Sequence, residues 1–152
     1  MANKEETITI LQSIVTGLSA NSIQHRFQAK IFESQGFSKL SEKYIGHADE
    51  EMDFVGQFID RIIDLGGIIK QEPLEEKPLF DNITDFLNED KRVSEEGLAV
   101  ILGIIESGKL DITTYDLMVE YYKDEEEDLY WTESQLELIE NIGLQNYLNN
   151  QL

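Results

Sequence analysis

Residues 66–81, which read GGIIKQEPLEEKPLFD, decide the fold that the rest of the sequence predicts. They contain the only two prolines of the chain, Pro73 and Pro78, and the double glycine Gly66-Gly67. Because proline lacks a backbone donor and clashes with the preceding helical turn, this stretch cannot continue a helix. On both sides of it, apolar residues recur with the 3.6-residue period of a helix, and strand signals are few. The stretch therefore predicts a long connection between helical halves of the chain.

Glycines and capping residues divide the remainder into four long helices and a short one. We expect them over about Glu5–Gln35, Ser38–Leu65, Ile83–Ser107 and Ile112–Ile142, with the short fifth over Leu144–Gln151. Within each half, the link between helices is too short for any arrangement except antiparallel neighbours. The sequence thus predicts one all-α domain over residues 1–152, an antiparallel four-helix bundle with one long crossover and a short C-terminal fifth helix.

The charge balance limits the kinds of partner that this protein can bind. Asp plus Glu number 31 against 12 Lys plus Arg, which gives a net charge of -19. The negative electrostatic potential of such a protein attracts cations and repels nucleic acid and anionic membrane surfaces. Cysteine is absent, so disulfides, thiolate catalysis and zinc–sulfur sites are excluded. With no long apolar run and no signal peptide, we expect a cytoplasmic protein that binds neither nucleic acid nor membranes.

An acidic run on the fourth helix indicates a buried charge. Five consecutive acids, residues 124–128, sweep the whole circumference of a helix, so they cannot all face water. Glu125 and Asp128 share the inward stripe, and Glu51 lies similarly on the second helix with His47 one turn before it. Carboxylates and an imidazole that converge in a bundle core would suit iron, manganese or zinc. The alternative is that these acids pair with Lys or Arg, or reach solvent at a bundle end.

The first helix argues against a complete two-metal site. From Thr7 through Phe32 it has no Asp or Glu, whereas a di-metal bundle site draws a carboxylate from each of four helices. Its nearest substitutes are His25, Gln24, Gln28 or a serine. No nucleophilic triad or phosphate-binding loop is present either, so no catalytic residues are assigned.

The second helix carries two apolar stripes where a surface helix needs one. The second stripe comprises Ile45, Ala48, Met52, Val55, Ile59 and Ile62. We expect this stripe to pack on another subunit, so the sequence predicts at least a dimer.

Several stretches of the chain resemble the bacterioferritins. The C-terminal stretches are Asp124-Glu-Glu, Trp131-Thr-Glu-Ser-Gln-Leu-Glu-Leu-Ile and Gly143-Leu-Gln-Asn-Tyr-Leu, and the earlier ones are Phe32-Glu-Ser-Gln-Gly, Asp49-Glu-Glu-Met and Ile59-Asp-Arg-Ile-Ile-Asp-Leu-Gly. The resemblance covers nearly the whole chain. It implies a ferritin-like bundle, and homodimers that hold haem b between them and build a hollow 24-subunit cage for iron.

The resemblance implies a degraded di-iron ferroxidase site. The family's six ligand positions fall, in chain order, on Leu18, Glu51, Phe54, Ser94, Glu125 and Asp128. Only Glu51 and Glu125 keep the family's residue type, and Asp128 replaces an imidazole. The matching positions on the first and third helices offer no ligand. We therefore expect any remaining metal site to use Glu51, Glu125 and Asp128, with His47 and His25 as weaker candidates.

The resemblance also places the family's axial haem ligand at Met52. The neighbouring positions are polar where the family is mostly apolar, namely Ser19, Ser22, Arg26 and Asp49. Arg26 and Asp49 are candidates for a charge pair across the dimer.

These observations predict an iron-storage cage subunit without its own ferroxidase activity. Oxidation of Fe(II) would then come from an intact bacterioferritin or ferritin subunit in a mixed cage. Two alternatives stay open. One is a structural or interaction protein that kept the bundle and handles no iron. The other is a ferroxidase with an altered metal site, which requires His25 to face the bundle core.

Overall fold

The computed structural model describes residues 3–152, and within that range it contains helices and no β-strand. The elements are α1 (Lys4–Ser34), α2 (Ser38–Asp64), α3 (Ile83–Glu106), α4 (Ile112–Ile142) and α5 (Leu144–Asn149). The predicted all-α bundle with a long crossover and a short fifth helix is confirmed.

Short polar residues begin three of the long helices. The side chains of Asn3, Asn82 and Asp111 accept hydrogen bonds from backbone N–H groups in the first turns of α1, α3 and α4. Gly143 separates α4 from α5 at a positive φ of 83°, a conformation that glycine adopts without a Cβ penalty. Local capping chemistry thus sets the helix ends close to where the sequence predicts them.

The crossover, residues 65–82, is held against α1 by amide side chains. Gln12 donates to the carbonyl of Lys70 and accepts from its N–H, both at 3.0 Å. Gln28 makes the same pair of bonds with Phe80, at 2.7 and 3.0 Å. An amide side chain can donate and accept at once, whereas a carboxylate only accepts. Glutamine can therefore bond both the N–H and the carbonyl of a crossover residue that has no helical partner. Gln28 is therefore engaged with the crossover and is not free to take part in a core site.

Two apolar clusters fill the bundle. One contains Leu11, Val15, Leu18, Val55, Phe58, Ile62, Ile101, Met118 and Tyr121. The other contains Ala29, Phe32, Leu40, Tyr44, Ile83, Phe86, Leu87 and Tyr147. Along each of the four long helices, the residues between the two clusters include polar or charged ones. The polar candidates of the sequence analysis therefore fall in a layer across the middle of the bundle.

The second apolar stripe of α2 is only partly available to another subunit. Ala48, Val55 and Ile62 are buried within this chain, so the prediction that the whole stripe packs on a partner is wrong for these three residues. Met52 remains 45% exposed. Within residues 3–152, no helix combines the length and apolar content that crossing a membrane requires.

Candidate metal centre

A buried imidazole joins three helices at the middle of the bundle. His25 on α1 directs Nδ1 to Oε1 of Glu51 on α2, and Nε2 lies 2.8 Å from Oδ1 of Asp90 on α3. The other oxygen of Asp90 accepts a 3.4 Å hydrogen bond from the hydroxyl of Tyr44. We call His25, Glu51, Asp90 and Tyr44 the central network.

Both ring nitrogens of His25 face carboxylate oxygens, which are acceptors, so this geometry suits the doubly protonated imidazolium. Burial by itself lowers the pKa of His25, but the charges of Glu51 and Asp90 outweigh it and raise that pKa well above 6.5. Burial also raises the pKa of Glu51, an effect that His25 opposes. The geometry and the raised pKa of His25 together favour a buried imidazolium between acids from two other helices.

Asp90 is the functional residue that the sequence analysis missed. Asp90 precedes Ser94 by one helical turn, so the two residues lie on the same face of α3. Ser94 is the residue that stands at the family's ligand position on this helix. The structure places His25, a predicted candidate from the first helix, in the central network, and it adds Asp90 from the third helix, where no candidate was predicted. A signal was available in the sequence, because Asp90 continues the apolar stripe of Ile83 and Phe86.

Glu125 lies beside the central network. It lines a small cavity of about 50 Å³ together with His25, Glu51, Asp90, Asn21 and Ser94. Burial, followed by the negative charges of Glu51 and Asp128, raises the pKa of Glu125 to about 8. The carboxyl group of Glu125 is therefore mainly protonated at neutral pH.

A second group of ligand-type side chains lies between α2 and α4. One carboxylate oxygen from each of Glu50, Asp124 and Asp128 lies within 4.8 Å of the other two. Nε2 of His47 lies 3.6 Å from Oδ1 of Asp128. Burial is the largest of the effects that lower the pKa of His47 to about 4. We call His47, Glu50, Asp124 and Asp128 the α2–α4 cluster.

The predicted ligand set is therefore divided. Glu51, Glu125 and His25 belong to the middle of the bundle, whereas Asp128 and His47 lie in the α2–α4 cluster with Glu50 and Asp124. Among the described residues, the acids whose oxygens lie within 4.8 Å of one another are Glu50, Asp124 and Asp128, so of the predicted ligands only Asp128 belongs to that group. Metal binding by any of these residues stays a prediction.

Comparisons with known proteins match this architecture. A model of the Ferritin family, described as a ferritin-like domain, matches residues 8–142. This chain belongs to the ferritin-like family. It is 31% identical to the bacterial ferritin of Pseudomonas aeruginosa over 100% of both chains, and equally so to that of Neisseria meningitidis serogroup B. It is 27% identical to the bacterioferritin of Streptomyces coelicolor, over 98% of this chain and 90% of the relative.

In this ferritin-like protein, two positions that the resemblance assigns to metal ligands carry apolar side chains. Leu18 is 2% exposed and lies in the first apolar cluster. Phe54 packs its ring against that of Tyr121, with centroids 5.2 Å apart. Neither side chain can donate to a metal, and both occupy space in the bundle.

Met52, which the resemblance matches to the haem ligand of the family, lies on an exposed, partly charged surface of this ferritin-like protein. Asp49, one turn before Met52 on α2, pairs with Arg26 at 2.5 Å within the same chain, so the suggested charge pair across a dimer is wrong. Ser22 donates to the carbonyl of Ala48 at 2.8 Å. A haem pocket should be mainly apolar, with charge only near the propionates. The exposed thioether of Met52 meets one requirement, but the residues around it do not fit a haem.

Proposed function

We propose that this chain is the subunit of an iron-storage cage and that it lacks a ferroxidase centre of its own. The observation that carries this proposal is the position of the His25 ring, with one nitrogen at a carboxylate oxygen of Glu51 and the other at one of Asp90. The positive charge that a metal would bring to these carboxylates is already supplied by a side chain.

Displacing that side chain is costly. Hydrogen bonds between charged partners contribute about 1.5–3 kcal/mol each, and His25 makes two of them in a buried setting. A metal ion that entered would have to break both and leave a buried imidazolium without partners, or remove its proton. Iron binding among these residues would have to offset the loss of both hydrogen bonds.

The surrounding space also opposes di-iron chemistry. Two iron ions that react with oxygen need several carboxylate and imidazole ligands and an open coordination position. Leu18 and Phe54 offer apolar surface, and the cavity beside Glu125 measures only about 50 Å³. Two apolar side chains at matched ligand positions and a small cavity therefore oppose a di-iron centre here.

Iron is the cargo of the proposed cage. The net charge of -19 favours the accumulation of cations such as Fe²⁺. Full-length similarity to proteins named bacterial ferritin and bacterioferritin supports homodimers that build a 24-subunit cage. Oxidation of Fe(II) would be supplied by a different, catalytically intact ferritin or bacterioferritin subunit in a mixed cage. Haem is not part of the proposed function, because the surroundings of Met52 do not fit it.

A ferroxidase with an altered site is the second candidate, and one observation favours it. His25 faces the bundle core, as this candidate requires, and Asp90 adds a carboxylate from α3. In this candidate, iron displaces the proton of His25 and binds among His25, Glu51, Asp90 and Glu125. The rate of Fe(II) oxidation by the purified protein separates the two candidates.

Iron content and assembly state, measured together, test the storage role. Hollow cages that retain iron after purification support the proposal. A metal-free dimer that takes up no iron when mixed with an intact bacterioferritin would instead indicate a structural or interaction protein.

A further inference from the structure

A groove of about 320 Å³ lies at the surface between α1 and α3. Two glycines inside these helices, Gly17 of α1 and Gly97 of α3, line it. Glycine destabilises a helix interior relative to alanine, and a Cβ added at either position would meet no atom within 4 Å. Packing within the chain therefore does not require these glycines, and their effect is to widen the groove. The apolar side chains that line it are Ile14, Leu18, Val93, Val100 and Ile101.

The groove continues into the cavity of about 50 Å³ beside the central network. The residues that line both spaces are Asn21, Val93, Gly97, Ile101 and Tyr121. At its inner end the cavity borders His25, Glu51 and Asp90. Even with His25 protonated, the carboxylates of Glu51 and Asp90 leave one negative charge there. The groove thus leads from apolar walls at the surface to a negatively charged inner end.

Asn21 lies where the groove meets the cavity, and one of its atoms lacks a partner. Oδ1 of Asn21 is buried and has no hydrogen-bond partner among residues 3–152. Buried polar atoms are nearly always paired, so an unpaired one needs an explanation such as a bound molecule. An amide oxygen only accepts hydrogen bonds. A molecule bound at this point must therefore bring an N–H or O–H donor.

Charge favours a cationic donor over a neutral one. The net charge of -19 raises the concentration of small cations near the protein. Lys77 also borders the groove, but its Nζ lies 3.5 Å from Oε2 of Glu75, which offsets its charge. A primary ammonium group offers three N–H donors, and an aliphatic chain attached to it can lie along apolar surface. An aliphatic amine therefore matches both ends of the groove.

We propose that the groove between α1 and α3 binds a primary alkylammonium ion. Its aliphatic chain lies between Leu18 and Val100, and its ammonium group donates to Oδ1 of Asn21 and faces the acids of the central network. The site uses no metal and goes beyond the proposed function, which assigns no small organic ligand to this subunit. Because the ligand contacts only the folded chain, its binding stabilises the fold.

Calorimetric titration of the purified, iron-depleted protein with n-butylammonium tests the site. We expect saturable binding of one ion per subunit. 1-Butanol has the same chain and a hydroxyl donor without the charge, and tert-butylammonium has the charge without the linear chain. Each of these two compounds should bind at least about ten-fold more weakly than n-butylammonium.

Three variants locate the binding. Asn21→Ala removes the unpaired acceptor and Gly97→Leu places a side chain in the groove, so each should weaken n-butylammonium binding at least about ten-fold. Gly103→Leu is the matched control, because it makes the same change on α3 outside the groove, where an added Cβ also meets no atom within 4 Å. It should leave the affinity within about two-fold of the parent protein. Circular dichroism of each variant shows that the helices are retained.

Four results would overturn the site. The first is the absence of saturable n-butylammonium binding, and the second is equal affinity for 1-butanol, which would indicate apolar binding alone. The third is equal affinity for tert-butylammonium, which would indicate general attraction to an acidic surface. The fourth is unchanged affinity in both folded variants, Asn21→Ala and Gly97→Leu. The proposed function fails on a different measurement, the oxidation of Fe(II), so the two failures are distinguishable.

Discussion

Nε2 of His25 lies 2.8 Å from Oδ1 of Asp90, and this contact crosses the bundle between its two helix pairs. His25 belongs to α1, in the pair before the crossover, and Asp90 belongs to α3, in the pair after it. Through Glu51, the same ring is also joined to α2. One imidazole therefore connects three of the four long helices in the middle of the bundle.

Replacing His25 should strongly destabilise the fold. His25→Gln leaves the buried carboxylates of Glu51 and Asp90 without their counter-charge, and breaking a buried ion pair costs about 3–5 kcal/mol. Urea denaturation at fixed protein concentration measures the loss. Arg26→Gln is the matched control, because the neighbouring Arg26–Asp49 pair is exposed and should contribute at most about 1 kcal/mol. Equal losses in the two variants would contradict a structural role for the central network.

The stability of the protein should fall as the pH rises above neutrality. The pKa of His25 in the folded state lies well above its ordinary value of 6.5, so the folded state binds the proton more tightly than the unfolded state does. The resulting stabilisation is complete below pH 6.5 and is lost as the pH rises through the folded-state pKa. Thermal unfolding between pH 6 and pH 10 should show this decline, and His25→Gln should show less of it. The same slope in both proteins would count against a charged His25.

Glu125→Gln should stabilise the protein at alkaline pH. Burial raises the pKa of Glu125 from 4.5 to about 8, so the folded state resists its ionisation. Below pH 4.5 the carboxyl is neutral in both states, and its cost grows as the pH rises towards 8. At one pKa unit per 1.36 kcal/mol, the gain at pH 8 is on the order of 4 kcal/mol at most. Denaturant titrations at pH 5 and pH 8 measure the free energy of unfolding, with Glu126→Gln as the control. If the stability gained by Glu125→Gln does not grow with pH, the raised pKa of Glu125 is refuted.

The start of α4 depends on Asp111. Its carboxylate accepts from the N–H of Thr114 at 3.0 Å and from Nη2 of Arg61 at 2.6 Å, which joins α4 to α2. Asp111→Ala removes this helix cap and should cost about 1–2 kcal/mol. Asp116→Ala, at an exposed position in the first turns of the same helix, should change the free energy of unfolding by less than about 0.5 kcal/mol. If the two variants lower the free energy of unfolding by similar amounts in chemical denaturation, Asp111 does not stabilise α4 as a cap.

Much of the fold could be predicted because its signals are local. Apolar residues at helical spacing, the capping acids and the glycines after helices each act within one or two turns, so the predicted helix ends lie close to those observed. The connectivity followed from the two prolines of the crossover. The apolar stripe of Ala48, Val55 and Ile62 was misread, because periodicity does not reveal which neighbour covers a face.

The candidate site was less predictable because it depends on contacts between helices. Periodicity placed Glu51 on an inward stripe, but it left the direction of His25 open and could not show that the two side chains touch each other. Asp90 continues the apolar stripe of α3, but a single acid on such a stripe does not by itself predict a contact with another helix. His25 lies in the central network and His47 in the α2–α4 cluster. This separation depends on how α2 and α4 pack, which no local sequence pattern predicts.

The rate of Fe(II) oxidation by the purified protein alone tests most directly whether this subunit lacks a ferroxidase centre. Fe(II) is added in air to the iron-depleted protein, and the absorbance of the ferric product is followed against a sample without protein. With His25 between Glu51 and Asp90, oxidation should be no faster than in that control. A fast phase that saturates with added iron and disappears in Glu51→Ala would contradict the claim and assign an altered ferroxidase site to the centre of the bundle.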